Sequence, residues 1–158
     1  MLIRRYKPLY NEDVKQLHYA GVTQIDLTHN HPDNPFVDSD MDDIEGFYIN
    51  NRGEFLIGVE DDEIVAIGGL KRVSDTCGEI KRIRVRRDRQ KQGLGQEIMT
   101  RLIETAEELG YQELKLDTLE NNLPAQRLFE GQGFMETRRG NLGSYHLIYY
   151  KKRLTPRE

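Results

Sequence analysis

Gln90-Lys91-Gln92-Gly93-Leu94-Gly95 is the stretch whose reading decides the fold. A segment rich in alternating apolar residues ends just before it, at Val85. A helix-periodic segment follows, with Ile98, Met99, Leu102, Ile103, Ala106 and Leu109 on one face. The two glycines therefore sit where a strand hands over to a helix. Such a turn leaves backbone N–H groups unpaired beside the positive end of the helix dipole, a ready site for phosphate. Whether that phosphate belongs to a nucleotide, a dinucleotide or coenzyme A depends on the rest of the chain.

Upstream, strict alternation in Glu79-Ile80-Lys81-Arg82-Ile83-Arg84-Val85 puts Ile83 and Val85 on one face and Ile80 on the other. A β-bulge between Ile80 and Ile83 brings all three to one face, and the pattern predicts one. Before it, Glu54 to Glu60 and Glu63 to Leu70 read as a hairpin about Asp61-Asp62. Gly68-Gly69 inside its second strand predicts a bulge or the close approach of another backbone. Leu2 to Tyr6 reads as a first strand, and Asn11, Glu12 and Asp13 open a helix carrying Val14, Leu17 and His18. From Thr28 to Asp43 the pattern dissolves into a loop, with a helical turn expected around Met41 to Phe47.

Downstream, Gly110 is the expected stop of the long helix and Glu113 to Leu119 the fifth strand. Asn121-Asn122-Leu123-Pro124 opens a short helix with Ala125, Leu128 and Phe129 as its buried stripe, ended by Gly131 or Gly133. Phe134 to Arg138 and Tyr145 to Leu154 are two last strands joined by a turn at Gly140-Asn141-Leu142-Gly143. The order β-α-(α)-β-β-β-α-β-α-β-β makes an α/β chain, a mixed sheet with helices on its faces.

Composition bounds the function. At 158 residues the chain reads as one domain, 1–158, able to bury about two-thirds of its unfolded surface. Charged residues make up 32% and apolar residues 37%, a soluble balance. No apolar run approaches the ~20 residues of a membrane helix, and the first residues lack a signal-peptide core, so the expectation is cytoplasmic, without membrane contact. Cys77 is the one cysteine and reads as a core or strand-edge residue. A net charge of −4 argues against general nucleic-acid binding.

The glycine turn lacks the third glycine of the dinucleotide fingerprint and follows several strands rather than the first. It also lacks the Lys-Ser/Thr ending of the P-loop. Both nucleotide readings fail on context. The turn does resemble the signature of the GCN5-related N-acetyltransferases, Gln/Arg-x-x-Gly-x-Gly/Ala after a fourth strand. A second signature of that family is matched after the fifth strand by Asn122, Ala125, Leu128-Phe129 and Gly133-Phe134. The resemblance is sharp from Glu79 to Phe134 and architectural elsewhere.

That resemblance implies a mostly antiparallel central sheet, splayed between strands four and five, with helices on both faces. It implies acetyl-coenzyme A as donor and no metal. The N–H groups around Gln90, Lys91, Gln92, Gly93, Leu94, Gly95 and Gln96 would hold the pyrophosphate, and Ile83, Arg84 and Val85 would pair with the pantetheine arm. Asn122 would bond that arm or simply cap its helix. Phe129 stands at the cofactor where many members carry a tyrosine proposed to protonate the leaving thiolate. Lys91 and nearby arginines would meet the 3′-phosphate or form a solvated basic surface.

Acetyl transfer needs a neutral amine, a stabilised carbonyl oxygen and a departing thiolate. Glu79 lies eleven residues before Gln90, where the histone-acetyltransferase branch carries its general base; the alternative is a strand glutamate paired with Lys81 or Arg82. Asp117 is a second candidate. Phenylalanine cannot donate a proton, which leaves Tyr145, Tyr149 or Tyr150, or departure without a dedicated acid. His29 and His31 match no standard ligand spacing. The acidic loop (Asp33, Asp38, Asp40, Asp42, Asp43, Glu45) would steer a cationic amine. The expected function is transfer of acetyl from acetyl-coenzyme A to a primary amine, of a small molecule or a protein, by direct attack in a ternary complex. The alternative is a catalytically silent acyl-coenzyme A sensor. The last strand, with Tyr145, Leu147, Ile148, Tyr149 and Tyr150, is the expected edge of a possible homodimer.

Overall fold

The computed structural model describes residues 1–25 and 39–155. Its strands are β1 (Leu2–Arg5), β2 (Glu54–Glu60), β3 (Glu63–Arg72), β4 (Cys77–Val85), β5 (Glu113–Leu119), β6 (Met135–Leu142) and β7 (Tyr145–Arg153). They form one seven-stranded sheet in the order β1-β2-β3-β4-β5-β7-β6. Only β4 and β5 run parallel; every other neighbour is antiparallel. The helices are α1 (Asn11–Ile25), α2 (Leu94–Glu108) and α3 (Leu123–Gly131).

Two hydrophobic clusters hold the helices to opposite faces. On one face Ile98, Met99, Leu102 and Ala106 of α2 are fully buried against Leu70, Ile80 and Leu114, with Phe129 of α3 joining them. Each large side chain so buried stabilises the fold by roughly 1.5–3 kcal/mol. On the other face Val14 and Leu17 of α1 pack with Tyr48, Phe55, Ile57 and Ile67. Met41, in the short helical turn Ser39–Asp42, and Ile44, at the N-cap of the short helical turn Glu45–Ile49, join this second cluster where a turn was expected.

The predicted bulge is present. Ile67 faces Arg84 and Gly69 faces Lys81, so Arg82 and Ile83 together oppose the single residue Gly68. Ile80, Ile83 and Val85 consequently all pack on the α2 side. Arg82 carries the bulge in the left-handed region, at φ 62°. Gly68 is required by side chains rather than by another backbone. A Cβ there would lie 2.6 Å from Ile98 Cγ2 and 2.7 Å from Ile83 Cδ1.

Two expectations at the C-terminal end are corrected. β6 continues through Gly140 to Leu142, and the chain turns at Gly143, whose φ is 61°. Gly140 has no such conformation and pairs with Leu147 inside the ladder. β7 is not an edge: β5 and β6 pair with it on its two sides, and β6 takes the outer position. Burial explains the inversion, because Leu147, Ile148 and Tyr150 are core residues while β6 is largely exposed. Cys77 is buried in β4, its thiol directed at the Gly78 carbonyl. Among the described residues no helix is long and apolar enough to cross a membrane.

Candidate active site

β4 and β5 pair at only three positions, Cys77 with Glu113, Gly78 with Leu114 and Glu79 with Lys115. Beyond Glu79 both strands continue but no longer pair, so the sheet opens into a V. The bulge at Arg82 bends β4 away at that level. The resulting cleft has a volume of about 1480 Å³. Ile80 to Val85 form one wall and Asp117 to Leu119 the other.

The glycine turn closes the wide end. Lys91 and Gly93 both have positive φ, and Gly93 stands at the N-cap of α2. The first α2 bond runs from Glu97 N to Gly93 O, leaving the N–H groups of Leu94, Gly95 and Gln96 without helical partners. A Cβ at Gly93 would meet nothing within 4 Å, and one at Gly95 only ordinary contacts at 3.5 Å. Gln90, Lys91, Gly93, Leu94, Gly95 and Gln96 all line the cleft; Gln92 does not. Gln90 has an unforeseen part, donating from Nε2 to the Val85 carbonyl at 3.1 Å and so tying the turn to β4. Arg84 likewise donates to the Ile83 carbonyl at 2.9 Å. Each carbonyl keeps a second lone pair for a strand-like ligand.

Asn122 serves as the α3 cap, its Oδ1 accepting from Ala125 N at 3.3 Å, and it also lines the cleft. Phe129 reaches the cleft from the α2 side, edge-on to Tyr150 with centroids 5.7 Å apart. Of the three tyrosines weighed as proton donors, Tyr145 alone lines the cleft. Tyr150 is 2% exposed in the core, where burial raises its pKa. Tyr149 lies beneath the Arg138 guanidinium, 3.7 Å from its ring centroid.

The titratable groups gather where the strands part. Asp117 lines the cleft on β5, while Glu79, half-buried in the last paired position of β4, does not. Burial raises the Asp117 pKa, and the negative charge of Glu79 adds to it against the pull of Lys81, Lys115 and Arg82. Lys81 is lowered, first by burial and then by Arg82, with Glu79 and Asp40 opposing. Glu79 forms no ion pair with Lys81 or Arg82.

Arg82 instead forks onto Asp40, Nε to Oδ2 at 2.9 Å and Nη2 to Oδ1 at 2.8 Å. Tyr48 donates to the same carboxylate at 2.5 Å. Burial alone would push the Asp40 pKa up; Arg82 and the Tyr48 hydroxyl outweigh it and hold the carboxyl at about 2. No local pattern marks this trio, because its members are 42 and 8 residues apart in sequence. Two other acids of that loop are also engaged, Asp42 with Lys15 at 2.7 Å and Asp43 with the Gly46 N–H at 3.1 Å. His29, His31, Asp33 and Asp38 lie outside the described residues.

The family model described as acetyltransferase (GNAT) matches residues 21–134, more than half of the chain. The chain belongs to that family. YsnE of Bacillus subtilis (strain 168), described as an uncharacterized N-acetyltransferase, is 35% identical over 77 residues, covering 48% of this chain and 51% of YsnE. Across the curated relatives it matches, the chain spans 37–51% of their length. A GNAT acetyltransferase structure from Staphylococcus aureus Mu50 superposes with a TM-score of 0.84 at 21% identity, over 98% of this chain and 99% of that one. A GNAT structure from Elizabethkingia anophelis with acetyl-coenzyme A bound gives 0.59 at 22% identity, over 68% and 79%. The GNAT fold is thus present from β1 to β7.

Proposed function

We propose that this chain, as one domain, is an acetyl-coenzyme A-dependent N-acetyltransferase acting on a primary amine held together with the donor. The observation that carries the reading is the parting of β4 and β5 directly in front of the glycine turn. A parallel strand pair that opens mid-length leaves two backbone edges unsatisfied, and an extended amide-bearing arm is the chemistry that satisfies them. The family match and the acetyl-coenzyme A named in a structural relative support the same donor.

The residues present fit that donor. Three N–H groups at the start of α2 without helical partners offer a pyrophosphate site, beside the left-handed Gly93 that turns the chain into the helix. Lys91 and Arg127, exposed on the cleft wall, supply cations for a terminal phosphate. Ile83 to Val85 and Asn122 receive the arm. The donor supplies an activated acetyl thioester. Glu79 and Asp117 together supply the base, since two interacting carboxylates keep one pKa high enough to accept a proton from an ammonium or through water. Glu79 remains the base expected from the family, and Asp117 is the partner facing the cleft.

Thiol release with a panel of amines tests the activity. Glu79→Gln and Asp117→Asn are expected to lower kcat by about 10²–10⁴-fold for whichever group carries the proton, with coenzyme A binding retained. Wild-type rates in both variants would sink the base assignment. One observation favours the silent-sensor reading: Phe129 lacks a hydroxyl and Tyr150 is sealed in the core. Coenzyme A binding without turnover on any amine would establish that reading instead.

A further inference from the structure

We infer that Lys81 is a self-acetylation site, its ε-amine taking the acetyl group from the donor held in the same cleft. The inference rests on the reading of the cleft as an acetyl-coenzyme A site. Lys81 lies two residues beyond the last β4–β5 pair, at the vertex of the V. It lines the cleft from β4, and Asp117 lines it from β5. A donor anchored at the start of α2 runs along β4 from Val85 back towards Lys81. Those four residues span about 13 Å, so the acyl end of an extended arm arrives at the vertex.

The side chain is unusually free to react. Arg82 is committed to Asp40, Arg86 to Glu63 and Asp88, and Arg89 to Glu60 and Asp88. The Lys81 amine makes no hydrogen bond or ion pair among the described residues, and feels Glu79, Asp40, Arg82 and Lys71 only through their fields. Burial and the Arg82 charge increase its neutral fraction, the form that carries a lone pair.

The step balances without a further reactant. Lys81 Nζ forms the new C–N bond to the acetyl carbonyl carbon, the C–S bond breaks, and coenzyme A leaves as thiolate. The ammonium first gives up one proton to water to expose the lone pair; after attack the second N–H proton passes to the Asp117 carboxylate and from there to the thiolate. The product is Nε-acetyl-Lys81, which removes a positive charge from the wall facing Asp117.

The test is intact-mass measurement and peptide mapping of the full chain after incubation with acetyl-coenzyme A, with calorimetry of coenzyme A binding on the same sample. The expected result is one acetyl group, mapped to Lys81, gained at a rate independent of protein concentration, as an intramolecular reaction requires. In Lys81→Arg and Lys81→Gln that modification is lost. If coenzyme A binds and Lys81 stays unmodified, or if acetyl groups scatter over exposed lysines, the self-acetylation proposal alone is overturned. If coenzyme A does not bind, the cofactor reading falls and this proposal falls with it.

Discussion

The lower and upper halves of the β4–β5 pair carry the same kind of sequence and do opposite things. From Cys77 to Glu79 the two strands complete each other's hydrogen bonds. From Ile80 to Val85 β4 has a partner on the β3 side only, and a cleft on the other. The difference is made by one extra residue, Arg82, and the buried fork that holds it to Asp40. A sheet can thus be opened without weakening its closed half, provided the residue in the bulge has its own partner. A left-handed arginine is costly in isolation, by roughly 1–2 kcal/mol, and the charge-assisted pair offsets that cost.

The largest expected effect comes from removing the fork. Arg82→Ala leaves Asp40 and Tyr48 buried without their cation and is expected to cost about 3–5 kcal/mol in urea unfolding. A loss below 1 kcal/mol would show that the bulge holds itself. Next, Gly68→Ala places a Cβ against Ile98 and Leu102 of α2 and Ile83 of β4. Overpacking of this kind costs about 1–3 kcal/mol. Coenzyme A affinity, read by calorimetry, should fall with it as the wall of the cleft shifts.

The third prediction concerns pH. Asp40 titrates at about 2 in the fold against an ordinary 3.8. A depressed carboxyl stabilises the fold fully above its unfolded value, and the stabilisation is lost as pH falls from about 4 towards 2. The integral is roughly 2 kcal/mol, and an acid-unfolding series should show it missing from Asp40→Asn. The smallest pair separates the two glycines of the turn. Gly93→Ala forces a Cβ into a φ of 83° and should cost about 1–2 kcal/mol together with coenzyme A affinity. Gly95→Ala meets only contacts at 3.5 Å and should be neutral or stabilising by up to about 1 kcal/mol. Equal effects at both positions would break the distinction between anchor and spacer.

Much of this architecture was legible one-dimensionally because its causes are local. The strand–turn–helix handover needs Gly93 at a left-handed N-cap. The bulge betrays itself because Ile80, Ile83 and Val85 share a face only if one residue is skipped. Asn122 caps α3 by contact with a residue three along. The misplaced last turn had a local cause as well: Gly140 and Gly143 look alike as letters, and only the Gly143 backbone adopts positive φ.

By itself, then, the sequence determined the strand and helix order, the glycine turn at the start of α2 and the bulge, all set by neighbours within a few residues. The tertiary structure alone decided which strand forms the edge, where Arg82 finds its counter-charge, and that Asp117 and Lys81 line the same cleft from opposite walls. Those outcomes depend on burial and on fields between groups far apart in the chain, and no local pattern encodes them. The glycine turn follows from its own few residues; the opening of β4 from β5 follows from a pairing 42 residues away in the chain.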